Sequence, residues 1–337
     1  MSKETEGRVT DEDILRVLKD SGYPLEQEIA SCLEKMEWSF TLNYAFTDIE
    51  TNISREIDIL AERKLRLENI SEPVGLGTTT GRLQKWKGIE QRVRLNIELL
   101  VECKKIKSSL VFFCRPKQSS DYFPSNADDI IQHSGTKPEI VVKPLNELSH
   151  TVFTVGQFLK FGKLSHYSRS KEKATQFCKI YRSGKNLAAD HAEVYQSFVV
   201  PLIKAVEYQK MVRQAKPSQL YFDMFLHYPI IVIDGMILKT DPECKLLEKT
   251  HHVEFVRNYY SSKIGGTYRI DVVEKSYLCE FIEKVLTPSI LSIEKEIGKN
   301  EKAIANGGMR VRSVASLLNS IMHSEPRSPR QLMNCLT

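Results

Sequence analysis

Two stretches of this sequence decide the fold: SREIDILAE at residues 54–62 and ELLVECKK at residues 98–105. Each has the apolar residues of a buried strand, such as Ile57 and Ile59 in the first, yet each also carries charged residues. Burying a carboxylate without a partner costs more free energy than strand propensity provides. The charged side chains in these two strands therefore need a partner.

The alternation of side chains along a strand predicts where these charges point. Residues two apart on a strand share a face, so Glu102 and Lys104 point together while Cys103 points the other way. Asp58 likewise points away from Ile57. If the two strands are neighbours, Asp58, Glu102 and Lys104 converge.

Such a cluster has an obvious chemistry. Two carboxylates side by side repel each other unless a cation lies between them, and carboxylate oxygens suit Mg²⁺ or Mn²⁺. The metal lowers the pKa of its bound water and offsets negative charge in the transition state. A lysine beside the acids can orient or deprotonate the water, or stabilise charge on a phosphate. We therefore predict that Asp58 and Glu102 are metal ligands and that Lys104 is catalytic.

These residues resemble the PD-(D/E)xK nuclease superfamily. The resemblance rests on Asp58 in REIDILA, on Glu102-Cys103-Lys104 in LLVECKK, on a glutamate in GYPLEQEIASCLEKMEW, and on the order of helix and strands over about residues 20–115. It implies an α/β fold with a restriction-endonuclease-like core, in which a central mixed sheet is flanked by helices, with additional C-terminal hairpins and helices. It also implies hydrolysis of DNA phosphodiester bonds with Mg²⁺ or Mn²⁺.

The family's helix glutamate has two candidates here. Glu26, which follows Leu25, is favoured as a further metal ligand and catalytic residue, and Glu28 is the alternative. The sequence departs from the family pattern in having Ile57 where the family has proline. It also has a longer gap between Asp58 and Glu102 than a hairpin needs, so the pairing of the two strands is inferred.

Asp58 also has a structural interpretation, and a further acid, Asp271, resembles it. Asp58 could pair with Arg55 or Lys104 at a sheet edge and catalyse nothing, since edge strands often carry charges. Asp271 in RIDVVEK at residues 269–275 is a decoy acid, because no ExK strand follows it.

Composition and length indicate a globular protein that works inside the cell. The chain has 337 residues, 41% of them hydrophobic, and no apolar run approaches a membrane span. The charged N-terminus lacks the apolar centre of a signal peptide, so we expect a cytoplasmic protein without membrane contact. Seven scattered cysteines favour reduced thiols. A metal site of Cys244, His251 and His252 is disfavoured, because such spacing arises by chance.

Positive charge is concentrated in one region. Residues 151–216 contain twelve Lys or Arg and four Asp or Glu, an excess of eight positive charges. Such a stretch can face a polyanion or be a solvated surface. The predicted nucleic-acid-binding residues are Lys163, Arg169, Lys171, Lys173, Lys179 and Arg182.

The pattern of apolar residues predicts four regions: a nuclease-like core at 1–115, an irregular basic region at 116–185, a region at 186–305, and a helical and mobile tail at 306–337. The core has helices at 11–20 and from Pro24 to about Trp38, strands at SFTLNYAF, SREIDILA, NIELLVECKK and SLVFFC, a loop at 63–94 and a short helical or turn segment at 105–109. GLGTTTGR in that loop lacks the Lys-Ser/Thr pair of a phosphate-binding loop.

The third region contains predicted strands and helices that complete the sheet or form a second lobe. The expected elements are a helix at 186–214 kinked at Pro201, a hairpin turning at Asp234-Gly235, an antiparallel pair in HVEFVRNYYS and TYRIDVV, and a helix at 277–305.

The sequence therefore predicts a divalent-metal-dependent deoxyribonuclease, with DNA as partner. The alternative is a catalytically inactive nuclease-fold protein that binds nucleic acid or a protein. An enzyme on an unrelated α/β fold is less favoured, because GxSxG, HExxH and P-loop motifs are absent from the sequence. A homodimer would allow cleavage of both DNA strands, but no residue in the sequence marks a dimer interface.

Overall fold

A computed structural model of the chain describes residues 9–65, 92–122, 130–135, 139–144, 151–213, 221–306 and 308–311. Most of the predicted loop at 63–94, including GLGTTTGR, lies outside these residues. The helix predicted in the C-terminal tail also lies outside them, except for residues 308–311, which form a strand.

The described residues form both helices and strands. The helices are α1 (Asp11–Asp20), α2 (Tyr23–Lys35), α3 (Ser119–Tyr122), α4 (Val155–Leu159), α5 (Phe161–Leu164), α6 (Ala192–Val194), α7 (Val200–Val212), α8 (Leu278–Phe281) and α9 (Thr287–Asn306). The strands are β1 (Ser39–Thr47), β2 (Ser54–Leu65), β3 (Arg92–Pro116), β4 (Gln132–Ser134), β5 (Glu139–Pro144), β6 (Thr151–Thr154), β7 (Glu172–Ser183), β8 (Asn186–Asp190), β9 (Tyr221–Thr240), β10 (Leu247–Thr250), β11 (His252–Tyr260), β12 (Gly265–Glu274) and β13 (Gly308–Val311).

Ten of these strands form one mixed sheet. Its main order is β1-β2-β3-β7-β11-β12-β9-β10, with β4 paired to β9 and β8 to β7. Because β9 also pairs in parallel with β3, the strands β3, β7, β11, β12 and β9 close into a ring. The predicted mixed α/β fold, with a large mixed sheet flanked by helices, is confirmed. The C-terminal strands complete this sheet, which was one of the two predicted alternatives.

Alternation along the strands places an apolar core on each side of the sheet. Leu99 and Val101 of β3 belong to the core that includes Leu33 of α2. Leu100 belongs to the other core, with Val206 of α7. All five side chains are at most 1% exposed, so β3 is buried on both faces.

The two longest strands correct two sequence predictions. The short helical or turn segment predicted at 105–109 and the hairpin predicted at Asp234-Gly235 are both wrong, because β3 and β9 each continue through these positions. Their parallel register shifts there: Lys105 pairs with Asp234 and Ser109 with Met236, so three residues of β3 face the single residue Gly235. A Cβ at Gly235 would lie 2.5 Å from the backbone oxygen of Ile106. This glycine permits a close approach of two backbones at a bulge, where the sequence suggested a turn.

The helix predicted from residue 186 begins later than expected. Residues 186–190 form β8, and the helical segment starts at Ala192. It contains a π-helical turn at Tyr195–Val199, directly before α7, which carries Pro201 in its first turn. Proline removes a helical hydrogen bond, and a wider turn accommodates that loss.

The region predicted as irregular, 116–185, contains regular structure. Its strand β7 has twelve residues and pairs with both β3 and β11 in the main sheet. β-Branched residues are sparse in β7, so its strand propensity is weak. Pairing with β3 and β11 stabilises it as a strand.

Two further findings concern cysteines and membranes. Cys32 of α2 and Cys279 of α8 form a disulfide with a Cα–Cα distance of 6.7 Å, so the prediction that all seven cysteines are reduced is wrong. They are 247 residues apart in the sequence, and spacing could not reveal the pair. Among the described helices, none combines the length and apolar character needed to cross a membrane.

Candidate active site

The candidate site lies where β2 separates from β3. The two strands pair antiparallel from Leu65↔Leu95 to Ile59↔Val101, and the pairing stops at the next residue of β2, Asp58. The carboxylate of Asp58 accepts a hydrogen bond from the backbone N–H of Cys103 at 2.6 Å. Asp58 therefore satisfies a donor that the departing strand leaves unpaired.

Glu102 and Lys104 point to the same face of β3, as the two-residue spacing predicts. The Nζ of Lys104 lies 2.5 Å from Oε1 of Glu102 and 3.9 Å from Oδ2 of Asp58. Cys103 points to the opposite face, into the core with α2. The structure thus brings together the three residues that the sequence singled out, around one ammonium group.

The helix glutamate beside this cluster is Glu26. It lies in the first turn of α2, next to Leu25, and is 9% exposed. Burial raises the pKa of Glu26, the charge of Asp58 raises it further, and Lys104 lowers it. Glu28, the alternative, is exposed and forms an ion pair with Lys275 at 2.9 Å. Glu26 is therefore the helix glutamate that is electrostatically coupled to Asp58 and Lys104.

Arg55, one of the two alternative partners of Asp58, forms an ion pair with Asp48 instead. The Nε of Arg55 donates to Asp48 at 2.7 Å, and β1 covers the edge of β2. The interpretation of Asp58 as an edge-strand residue paired with Arg55 is therefore wrong, although Lys104 does lie within salt-bridge distance.

Burial shifts the acid–base properties of the cluster. Glu102 is 5% exposed, and burial raises its pKa to about 7, with Asp58 and Glu26 adding to the rise and Lys104 opposing it. Burial by itself lowers the pKa of Lys104, but Glu102 and Asp58 outweigh it and hold that pKa above its ordinary value. Near neutral pH, the site contains an ammonium group and a carboxyl group close to its own titration point.

One oxygen in the cluster has no partner. Oε2 of Glu102 is buried and accepts no hydrogen bond. A buried polar atom without a partner is costly and often marks a site that binds something. Within the described ranges, however, no group of three or more His, Cys, Asp or Glu side chains is arranged to hold a metal ion. Lys104 partly compensates the charge of the carboxylates here instead.

Phe198 is a neighbour of the cluster that sequence reasoning missed. Its ring lies 5.7 Å from the Nζ of Lys104, within cation–π distance. The π-helical turn that carries Phe198 is almost 100 residues away in sequence, and it packs against the core that includes Leu100 of β3 and Val206 of α7. No local signal could have identified it.

The six predicted nucleic-acid-binding residues lie in or next to β7 and α5. Lys163, Arg169, Lys171 and Arg182 are exposed, whereas Lys173 is half-buried and paired with Asp121. Lys179 lies 5.7 Å from the ring of Tyr181. The structure therefore leaves four of the six cations open to solvent.

Two buried polar networks also went unrecognised. Ser134 Oγ lies 2.7 Å from His227 Nε2, and His227 Nδ1 lies 2.8 Å from Glu98, which is the order of contacts in a serine hydrolase. Arg213 neutralises Glu98, and Ser134 is only 8% exposed. A nucleophile needs space in front of its oxygen, so we assign this network to the polar core between β3, β9 and β4.

The second network surrounds Asp271, the decoy acid of the sequence. Its fully buried carboxylate contacts His166, His252 and Tyr167 at 2.8–3.0 Å. His251 contacts Glu274 instead. The two histidines that could have joined Cys244 in a metal site thus have other partners.

Comparison with known proteins gives no relative. No family model, no curated protein and no solved structure shows a significant match to this chain. Its function has to be inferred from the chemistry of the site.

Proposed function

We propose that this protein is a metal-dependent nuclease of the PD-(D/E)xK type that hydrolyses phosphodiester bonds in DNA. The observation that carries the proposal is the convergence of Asp58, Glu102 and Lys104 where β2 leaves β3. The buried Glu102 oxygen without a partner supports it, because a site shaped only for stability would satisfy that oxygen.

The three residues have distinct roles in this proposal. Lys104 holds the attacking water and the scissile phosphate in line, and its positive charge opposes the negative charge that develops on the phosphate. Asp58 keeps its carboxylate oriented through the Cys103 N–H. Glu26 adds a third carboxyl group at the edge of the site.

The carboxylates suit a divalent metal in ligand type. Asp58 and Glu102 would hold Mg²⁺ or Mn²⁺, with Glu26 as a further ligand, and the partnerless Oε2 of Glu102 is the most available oxygen. The bound ion would supply a water of lowered pKa and positive charge on the phosphate. To bind it, Glu102 has to share or release its contact with Lys104.

We expect purified protein to cleave plasmid DNA in Mg²⁺ or Mn²⁺, with EDTA lowering the rate by at least about 1,000-fold. Without the metal, the attacking water keeps its high pKa and the phosphate keeps its full negative charge. The measurement is conversion of supercoiled plasmid to nicked and linear forms, followed with time.

Ca²⁺ provides a control, since it binds oxygen ligands with a looser geometry than Mg²⁺. Single-stranded DNA and RNA of matched length test the substrate class. Equal rates with Mg²⁺ and with EDTA would rule out the metal-dependent mechanism.

A matched pair on α2 tests the helix glutamate. We expect Glu26→Gln to lower the rate constant of cleavage by about 10- to 100-fold and Glu28→Gln to change it by less than about twofold. Both substitutions remove one negative charge from the same helix, but only Glu26 is coupled to Asp58 and Lys104. Single-turnover cleavage at saturating DNA measures this. If the two variants cleave equally well, Glu26 has no part in the site.

A second function is favoured by one observation. Lys104 already neutralises Glu102, and the described residues contain no preformed three-ligand metal group. A protein that binds nucleic acid without cutting it would have this same arrangement of Lys104 and Glu102. It predicts salt-sensitive DNA binding in both EDTA and Mg²⁺, with intact DNA recovered in each.

A further inference from the structure

We infer that a polar cavity between α3 and strands β7, β11 and β12 binds one phosphodiester group of a nucleic-acid strand. The cavity has a volume of about 310 Å³. The lining residues used below are Ser120, Asp121, Lys173, Asn258, Thr267 and Arg269. The inference rests on the proposed function for the identity of the ligand, but it concerns binding and not cleavage.

The wall of the cavity contains a buried cluster with more cations than anions. Lys173 pairs with Asp121, while Arg269 and Lys117 share the carboxylate of Glu254. Four of these five side chains are at most 11% exposed. Three cations therefore face two carboxylates, and the neighbouring Asp271 is held in its own network with two histidines. A buried charge without compensation is unfavourable, so the cluster favours an additional anion.

The donors in the cluster are not all used. Nε of Arg269 is buried and donates to nothing, although its Nη1 contacts Glu254 at 2.6 Å. Burial lowers the pKa of Lys117, and Arg269 lowers it further against the effect of Glu254. Lys117 donates to the backbone oxygen of Tyr167 and to Glu254, and Nη2 of Arg269 donates to the backbone oxygen of Asp121, so Nε of Arg269 remains as an unused donor.

A further cation, Arg257, lines the cavity, so positive charge there exceeds the carboxylates by more than one and favours an anion. The cavity also offers a neutral donor. Asn258 is exposed and oriented, because its oxygen accepts the hydroxyl of Thr267 at 2.9 Å. Its amide nitrogen is then the group available to donate to a phosphate oxygen.

The position of the cavity also suits a strand of nucleic acid. The backbone N–H of Lys117 bonds to the carbonyl of Lys171 at 2.9 Å, which brings the exposed Arg169 and Lys171 close to the cluster. Lys173 pairs with Arg115 of β3, eleven residues beyond Lys104, or roughly 35 Å along the strand before curvature. The cavity and the candidate active site are therefore separate contacts.

Binding of a fluorescent 20-base-pair duplex in EDTA tests the inference without cleavage. We expect Lys173→Gln to weaken binding about 5- to 10-fold at 0.1 M salt and to lower the slope of log K against log salt by about one. Lys173→Arg should restore binding. Lys299 on α9 is also paired with a carboxylate but is exposed. Lys299→Gln should therefore change neither the affinity for the duplex nor its salt dependence.

A second variant covers the possibility that losing Lys173 disturbs the fold. Asn258→Asp places a negative charge at the cavity without removing any buried group, and it should weaken binding at least as much, with Asn258→Ala intermediate. Inorganic phosphate at constant ionic strength should compete with the duplex only weakly. Wild-type duplex affinity in both variants would overturn the inference, whether or not phosphate competes with the duplex. Duplex binding in EDTA is measured without cleavage, so a failure of the nuclease proposal appears separately, in plasmid cleavage by the wild-type protein.

Discussion

We expect Glu102→Gln to lower DNA cleavage by at least about 1,000-fold, which single-turnover plasmid nicking in Mg²⁺ would measure. Gln keeps the shape of the side chain but removes the charge that would bind the metal and orient Lys104. Because burial raises the pKa of Glu102 to about 7, we also expect the wild-type rate to rise as pH increases through 7. Only the ionised carboxylate can hold a divalent cation.

The stability of this variant is the control. A carboxyl group whose pKa is raised by folding stabilises the folded state below its unfolded pKa of 4.5, and that contribution is lost as pH rises through about 7. At pH 8 the buried carboxylate therefore gives no net stabilisation through its own titration. Because Gln does not ionise, we expect Glu102→Gln at pH 8 to be at least as stable as wild type in its free energy of unfolding.

Lys104→Ala completes the test. It removes the ammonium near both carboxylates and should abolish cleavage as fully as Glu102→Gln does. If Lys104→Ala and wild type cleave equally, the site is structural, and the three charges exist only to satisfy one another.

Local patterns predicted the elements that carry the site. Apolar spacing around Leu25 and Leu33 identified α2, and alternation identified β1 and β2, all of which the structure confirms. The two-residue period of β3 put Glu102 and Lys104 on one face. These inferences succeed because each depends only on neighbours within one element.

Features that depend on distant strands could not be predicted. Asp234-Gly235 has the sequence of a tight turn, but the bulge of β3 opposite Gly235 decides its conformation. Phe198 reaches Lys104 because its π-helical turn packs against the core beside β3. The cluster of Lys117, Glu254 and Arg269 likewise joins three separate segments, and no spacing in the sequence relates them.

The bulge opposite Gly235 also makes this glycine a severe test of the fold. We expect Gly235→Ala to lower the free energy of unfolding by about 2–3 kcal/mol, because its Cβ would lie 2.5 Å from the backbone oxygen of Ile106. The obstacle is backbone and not a flexible side chain, so β3 and β9 have to move apart. Chemical denaturation monitored by circular dichroism measures the loss.

This displacement should also reach the candidate active site. Lys105 pairs with Asp234 immediately before the bulge, so a shift of β3 there moves Lys104, and cleavage should fall beyond what stability explains. Gly298→Ala is the matched control: a Cβ at Gly298 meets no atom within 4 Å, and Ala favours helix α9 by about 1 kcal/mol. If Gly235→Ala were as stable as wild type, the two strands would not approach each other as closely as the structure places them, and the bulge could not be what fixes Lys104.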